Sequence, residues 1–209
     1  MCRMMAGTRP RFITNFVKVA RKDGKGLPNG DGWGFAAYLA DGTILIKKKL
    51  EPIWESLEPL PRAPFLLHAR RAEKLPKSLE HVHPHVCNGV ILAHNGNVEV
   101  PRPSGLKLYR RTSSEALACY FGALLASGRE LEEALETVSK TVKPKPSANF
   151  VAIVTSASKL VIFNYHTGDR YYVMWKKEGV YASEPLGEGW QPLSEDGAPV
   201  WEVVDLKPS

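Results

Sequence analysis

Two amphipathic helical segments stand between two blocks of short apolar runs, and this order constrains the fold most. Thr112-x-x-Glu115 fits a capping box. Behind it, Leu117, Tyr120, Phe121, Leu124 and Leu125 form an apolar stripe at helical spacing. Gly128 suits a left-handed helix end. Residues 129–142 repeat the pattern with Leu131, Leu135, Val138 and Val142, and Lys143-Pro144-Lys145-Pro146 then stops it. So short a connection predicts two antiparallel helices. Ahead of the pair, residues 2–8 can open a strand and residues 11–21 place Phe12, Phe16 and Val19 on one helical face. Trp33–Tyr38 and Thr43–Lys49 flank Asp41-Gly42 as a hairpin. PFLLH (64–68) and GVILA (89–93) read as buried strands. Behind the pair, residues 149–155, 159–164, 170–175 and 179–182 read as a meander. Strands segregated from helices predict an α+β fold, with two antiparallel sheets facing each other and helices outside.

A chain of 209 residues with 44% hydrophobic and 24% charged residues is ordinary globular composition. No apolar run approaches the ~20 residues that span a bilayer, so no membrane partner is expected. No linker divides the chain, which predicts one domain over 1–209. The net charge of +6 is spread along the chain, and no basic–aromatic motif accompanies it, so nucleic acid is not an expected partner. The N-terminus lacks a secretory h-region. Three cysteines, Cys2, Cys87 and Cys119, are an odd set, which predicts free thiols and a cytoplasmic location.

Cys2 follows the initiator methionine. Removal of Met1 would leave a thiol and an α-amine of pKa ~7.7–8 on one residue, a nucleophile with its own base. Alone, Cys2 reads first as an incidental small residue at position 2. His94-Asn95-Gly96 follows the buried run GVILA. The Asn95 amide and the Gly96 N–H can aim at one oxygen as an oxyanion hole. The same pair also makes a common hairpin turn. Arg70, in HARR (68–71), can offer a planar fork to a carboxylate. His81, His83, His85 and Cys87 have the spacing of a metal set, but Pro84 interrupts a regular strand and no second ligand cluster accompanies them. GDGWG (30–34) lacks both GK[ST] and GxGxxG, so it reads as backbone held close to a site or strand, anchored by Trp33.

In this order the motifs MCRMMAG, GDGWGFAAY, LLHARRAE, HVHPHV, ILAHNGNV, TSSEALA and YASEPLGEGWQPL resemble the class II glutamine amidotransferases, above all their small stand-alone members. The resemblance implies an N-terminal-nucleophile hydrolase fold, a four-layer αββα sandwich. It implies Cys2 as nucleophile, Asn95 and Gly96 as oxyanion hole, Arg70 on the substrate's α-carboxylate, and His83 organising the pocket. It implies attack on a side-chain amide, a thioester and hydrolysis with ammonia or amine released, without cofactor or metal. The family's Asp for the α-ammonium is replaced by Ser113, which predicts weaker glutamine binding or a different γ-glutamyl compound. No synthase domain accompanies the motifs. A separate ammonia-accepting subunit or plain hydrolysis of a γ-glutamyl amide would complete the reaction. The rival readings are an inactive regulatory relative and a His-cluster metal hydrolase.

Overall fold

A computed structural model describes residues 2–72, 76–101, 108–109 and 112–206. The chain begins with β1 (Arg3–Gly7), α1 (Ile13–Arg21), β2 (Trp33–Tyr38), β3 (Ile44–Lys49) and the short α2 (Ile53–Ser56). Then come β4 (Phe65–Ala69), β5 (His85–Cys87), β6 (Val90–Glu99), α3 (Ser113–Ala126) and α4 (Leu131–Thr141). The last part holds β7 (Lys143–Val154), β8 (Lys159–Asn164), β9 (Trp175–Lys177), β10 (Val180–Ala182), β11 (Gln191–Pro192) and β12 (Val200–Asp205). One sheet runs β11–β9–β10–β1–β4–β2–β3 and the other β12–β8–β7–β6–β5. All the pairings within them are antiparallel.

Alternation along each strand sorts side chains into three apolar layers. Met5, Phe35, Phe65 and Leu67 pack with Phe16 of α1. Met4, Ala6 and Leu66 turn the other way and meet Ile91, Ala93, Val151 and Ile162 of the second sheet. Leu92, Phe150 and Phe163, on that sheet's far face, pack with Leu117, Phe121, Leu135 and Val138 of α3 and α4. The layers run helix, sheet, sheet, helix, as expected. Each fully buried Leu or Phe side chain contributes roughly 1.5–3 kcal/mol.

Thr112 caps α3 by accepting from the Glu115 N–H at 3.0 Å. Gly128 is left-handed at φ 89° beyond it. The two prolines after α4 lie inside β7. β8 pairs only with Phe150–Val154, so the prolines sit where one edge of β7 carries no β8 ladder, a tolerated place.

Two sequence expectations are corrected. The last strands are not one meander. β7 and β8 belong to the second sheet, β9 and β10 to the first. Between them Arg170–Tyr172 forms a 3-10 turn, because the Asp169 side chain accepts from the Tyr171 N–H at 2.9 Å. Nor are all three cysteines thiols: Cys87 and Cys119 form a disulfide. A Cβ on Gly122 would lie 2.6 Å from the Cys87 carbonyl, so α3 rides directly on β5 at this point. Cys119, three residues earlier on the same face, is thereby brought to Cys87. The cysteine count therefore does not support a reducing compartment. Among the described residues no helix is long and apolar enough to cross a membrane.

Candidate active site

β1 lies between β4 and β10, and its register pairs Arg3 with Ala69. Cys2, one residue ahead, therefore stands beside Arg70-Arg71 at the end of β4. The Arg71 N–H donates to Cys2 Sγ at 3.4 Å. A cleft of about 660 Å³ opens here. Cys2, Arg70, His83, Gly96 and Ser113 all line it. Asn95, the sixth predicted residue, lies fully buried in β6 behind the cleft wall.

The HNG motif is not a turn; it lies inside β6, paired with β7. Alternation turns Asn95 toward the sheet–sheet space, like Ala93, and His94 toward α3, like Leu92. His94 Nδ1 is 2.9 Å from Ser114 Oγ on α3. Neither polar atom of the Asn95 amide has a hydrogen-bond partner among the described residues. A buried amide left this way is unusual. Gly96 has φ 138°, and a Cβ there would sit 2.1 Å from the Ser147 carbonyl. Only glycine fits.

Arg70 is 4% exposed. Its Nη2 donates to the Pro76 carbonyl at 3.1 Å, and its Nη1 has no partner among the described residues. The glycine-rich loop holds it. Arg70 N–H donates to the Gly32 carbonyl at 2.8 Å, and Asp31 N–H to the Arg70 carbonyl at 2.9 Å. The Asp31 carboxylate accepts from the Ala72 N–H at 2.8 Å. A Cβ on Gly34 would lie 2.3 Å from the His83 carbonyl. Trp33 is buried and donates its ring N–H to Ser56 Oγ at 2.8 Å. The loop thus holds backbone close to the site around a Trp33 anchor, as expected.

His68, His83 and His85 pack in series, the first pair tilted at 39° and the second edge-on at 61°, with ring centroids 4.1 and 4.5 Å apart. Burial, then the neighbouring imidazoles and Arg70 or Lys48, push His68 and His83 well below the usual histidine range. Burial lowers His94 to about 4, against the Ser147 carbonyl, which raises it. His68, His83 and His94 are thus neutral at pH 7 and add no charge beside Cys2. The spacing that suggested a metal set is broken up. His81 ends a 3-10 turn with Nδ1 2.8 Å from Ser78 Oγ, and Cys87 is spent in the disulfide. Among the described residues no group of three such side chains is placed to hold a metal.

Ser113 opens α3 at the cleft. Glu115 is buried, accepts from the Tyr109 N–H at 3.0 Å and does not line the cleft. It does not replace the missing Asp.

The sequence reading missed a second wall, formed by Lys25, Leu27, Tyr171 and Tyr172. It is fastened to β1 by Arg3, which is 1% exposed. Arg3 pairs with Asp23 at 3.2 Å and with Glu184 at 2.9 Å. Burial acts to raise the Asp23 pKa. The Tyr171 hydroxyl, donating at 2.6 Å, the N–H groups of Leu27 and Lys25, and Arg3 together hold it below the usual carboxylate range. Burial and the bond to Asp23 push the Tyr171 hydroxyl far up, so it stays a donor. The sequence signal was the pair Tyr171-Tyr172 after Asp169, which strand propensity obscured.

No protein-family model matches the chain. The gamma-glutamyl-hercynylcysteine sulfoxide hydrolase of Mycolicibacterium smegmatis (strain ATCC 700084 / mc(2)155) is 26% identical over 217 positions, covering 93% of each protein. Among solved structures, the glutamine phosphoribosylpyrophosphate amidotransferase from B. subtilis, complexed with ADP and GMP, superposes with a TM-score of 0.61 at 14% identity. That match covers 96% of this chain, which spans about half (48%) of the amidotransferase. In fold this chain is therefore α+β, two antiparallel sheets between helices as in that amidotransferase, and in sequence it is similar over nearly its whole length to a γ-glutamyl hydrolase.

Proposed function

We propose that this protein, acting as one domain, hydrolyses the side-chain amide of a γ-glutamyl compound through a thioester on Cys2. The observation that carries this is the cleft itself. It joins Cys2 at the tip of β1 to Arg70, whose Nη1 is unpartnered among the described residues, and to Gly96 beside the unsatisfied Asn95 amide. After Met1 is removed, the Cys2 α-amine takes the thiol proton. The Arg71 N–H at Sγ stabilises the resulting thiolate. Sulfur attacks the γ-carbonyl, and the oxyanion accepts from Gly96 N–H and the Asn95 amide. The C–N bond breaks, and ammonia or an amine leaves with the proton. Water then adds to the thioester, releasing the γ-carboxylate and restoring the thiol. Arg70 binds the substrate's α-carboxylate, and Ser113 lies near its α-nitrogen. His83, neutral and packed between His68 and His85, holds the cleft wall.

Plain hydrolysis is preferred over delivery of ammonia to a separate synthase subunit. The full-length similarity to a γ-glutamyl hydrolase supports that choice.

The test joins an intact mass to an assay of amine release from γ-glutamyl amides. Loss of Met1, with release abolished in Cys2→Ala, is the expected result. Retained Met1 and no release would move the protein to the inactive, regulatory reading. Release that persists in Cys2→Ala would remove Cys2 as nucleophile.

A further inference from the structure

We infer that the Cys87–Cys119 disulfide is a redox switch on substrate binding: closed, it holds one wall of the cleft in place, and opened by a dithiol it lets that wall loosen. The inference rests on the amidase reading above and adds its regulation. The bond joins two elements that both end at the cleft. Cys87 closes β5, and His85, two residues before it, lines the cleft with His83. Cys119 lies in α3, six residues after Ser113. Thr112, Ser113 and Ser114, at the start of that helix, also line the cleft. Six helical residues span only ~9 Å. Neither sulfur lines the cleft itself, and Cys87 packs against the apolar layer under α3.

The two elements are held unequally by everything else. α3 buries a long apolar face, with Leu117 and Phe121 fully enclosed. β5 is an edge strand of three residues, and its ladder runs to β6 alone through His85, Val86 and Cys87. The covalent bond therefore restrains β5 most, and the His83–His85 wall moves with β5. Opening it also returns chain freedom to a segment whose ends are 32 residues apart. Cys2, Arg70, Asn95 and Gly96 stand on or beside β1, β4 and β6, so the reacting groups do not depend on the bond.

Access suits a switch. Cys119 is 5% exposed, but Cys87 is half-buried between the exposed Val86 and Asn88. The thiolate of a dithiol can attack Cys87 Sγ and form a mixed disulfide there, while Cys119 leaves as a thiolate and takes up a proton. The second thiolate of the dithiol then attacks its own sulfur in the mixed disulfide and closes a ring. Cys87 leaves in turn and is protonated. The protein gains two electrons and two protons, and the dithiol becomes a cyclic disulfide. The reverse exchange closes the clamp again.

The experiment holds the full chain, after Met1 removal and without oxygen, in mixtures of reduced and oxidised dithiothreitol, with γ-glutamyl-p-nitroanilide as the probe. Alkylation of newly formed thiols, read as intact mass, reports how much of the bond is open. As it opens, KM should rise about tenfold, because a wall in place about a tenth of the time lowers apparent affinity by that fraction. The kcat should stay within about twofold, since only ground-state binding is lost. The double variant Cys87→Ala/Cys119→Ala should show the raised KM in every mixture. An unchanged KM with the bond open by mass would overturn the inference and leave the amidase reading standing. A bond that stays closed in fully reduced dithiothreitol would also overturn it, as would a KM step that persists in the double variant. If no form hydrolyses the probe, the amidase reading falls and hydrogen exchange decides the inference by itself. Faster exchange over residues 85–87 and 113–116 on reduction supports it, and unchanged exchange overturns it.

Discussion

The space between the two sheets has two ends built from the same strands. At one, Met4, Ala6, Leu66, Ile91 and Val151 make an apolar layer, each fully buried or nearly so. At the other, two residues beyond Leu66 on β4 and four beyond Ile91 on β6, stand His68 and Asn95, with His83 packed on His68. They are as buried as the aliphatics, and none of their side-chain polar atoms has a hydrogen-bond partner among the described residues. The comparison teaches where stability ends and function begins. Apolar burial supplies the fold, while unsatisfied polar burial is a local cost of ~1–3 kcal/mol per group. Such a cost is tolerated where a ligand or a reacting atom completes the hydrogen bonds.

The sharpest way to break this comparison is to truncate one residue from each end. Leu66→Ala should lower unfolding free energy by roughly 2–5 kcal/mol, because it opens a cavity in a closed layer. Amide turnover per folded molecule should stay within about twofold, and denaturant titration with active-site counting measures both. Asn95→Ala should do the reverse. Turnover should drop about 100–1000-fold if the amide meets the oxyanion. Stability should change by under ~1 kcal/mol, since no partner is stranded. A destabilisation matching that of Leu66→Ala would show that Asn95 is structural.

A smaller effect comes from pH. His68, His83 and His94 are held neutral by burial, below their ordinary range. Well above pH 6.5, from about pH 7.5, the folded and unfolded chains both leave them neutral, so they add no pH dependence there. As pH falls below that value the unfolded chain takes up protons that the folded chain refuses. Stability is then lost at up to ~1.4 kcal/mol per pH unit for each histidine. For His94 the loss continues until pH reaches about 4. Urea unfolding between pH 6.5 and 5, where most carboxylates are still charged, should show this slope. A flat profile would mean that the polar end is wetter than its burial implies.

Much of this was legible in the chain. The capping box at Thr112 became α3, and the Asp41-Gly42 turn joined β2 to β3. Five of the six residues picked for the site line one cleft. Their spacing was informative because strand ends and helix starts are local features. What stayed hidden was non-local. The Cys87–Cys119 bond spans 32 residues. The Tyr171–Asp23 bond spans 148, and pattern reading along one strand does not see either partner.

The amino-acid order by itself determined the layers, because alternation in strands and the apolar stripe of α3 depend only on neighbours in the chain. Why Gly96 and Gly34 are glycines is shown only by the folded backbone, where the Ser147 and His83 carbonyls occupy the space a Cβ would need. Tertiary structure alone decided which flank of Cys2 each cation occupies. Sheet order is set by long-range pairing: β10, from the end of the chain, lies beside β1 from its start, and Arg3 and Tyr171 meet there.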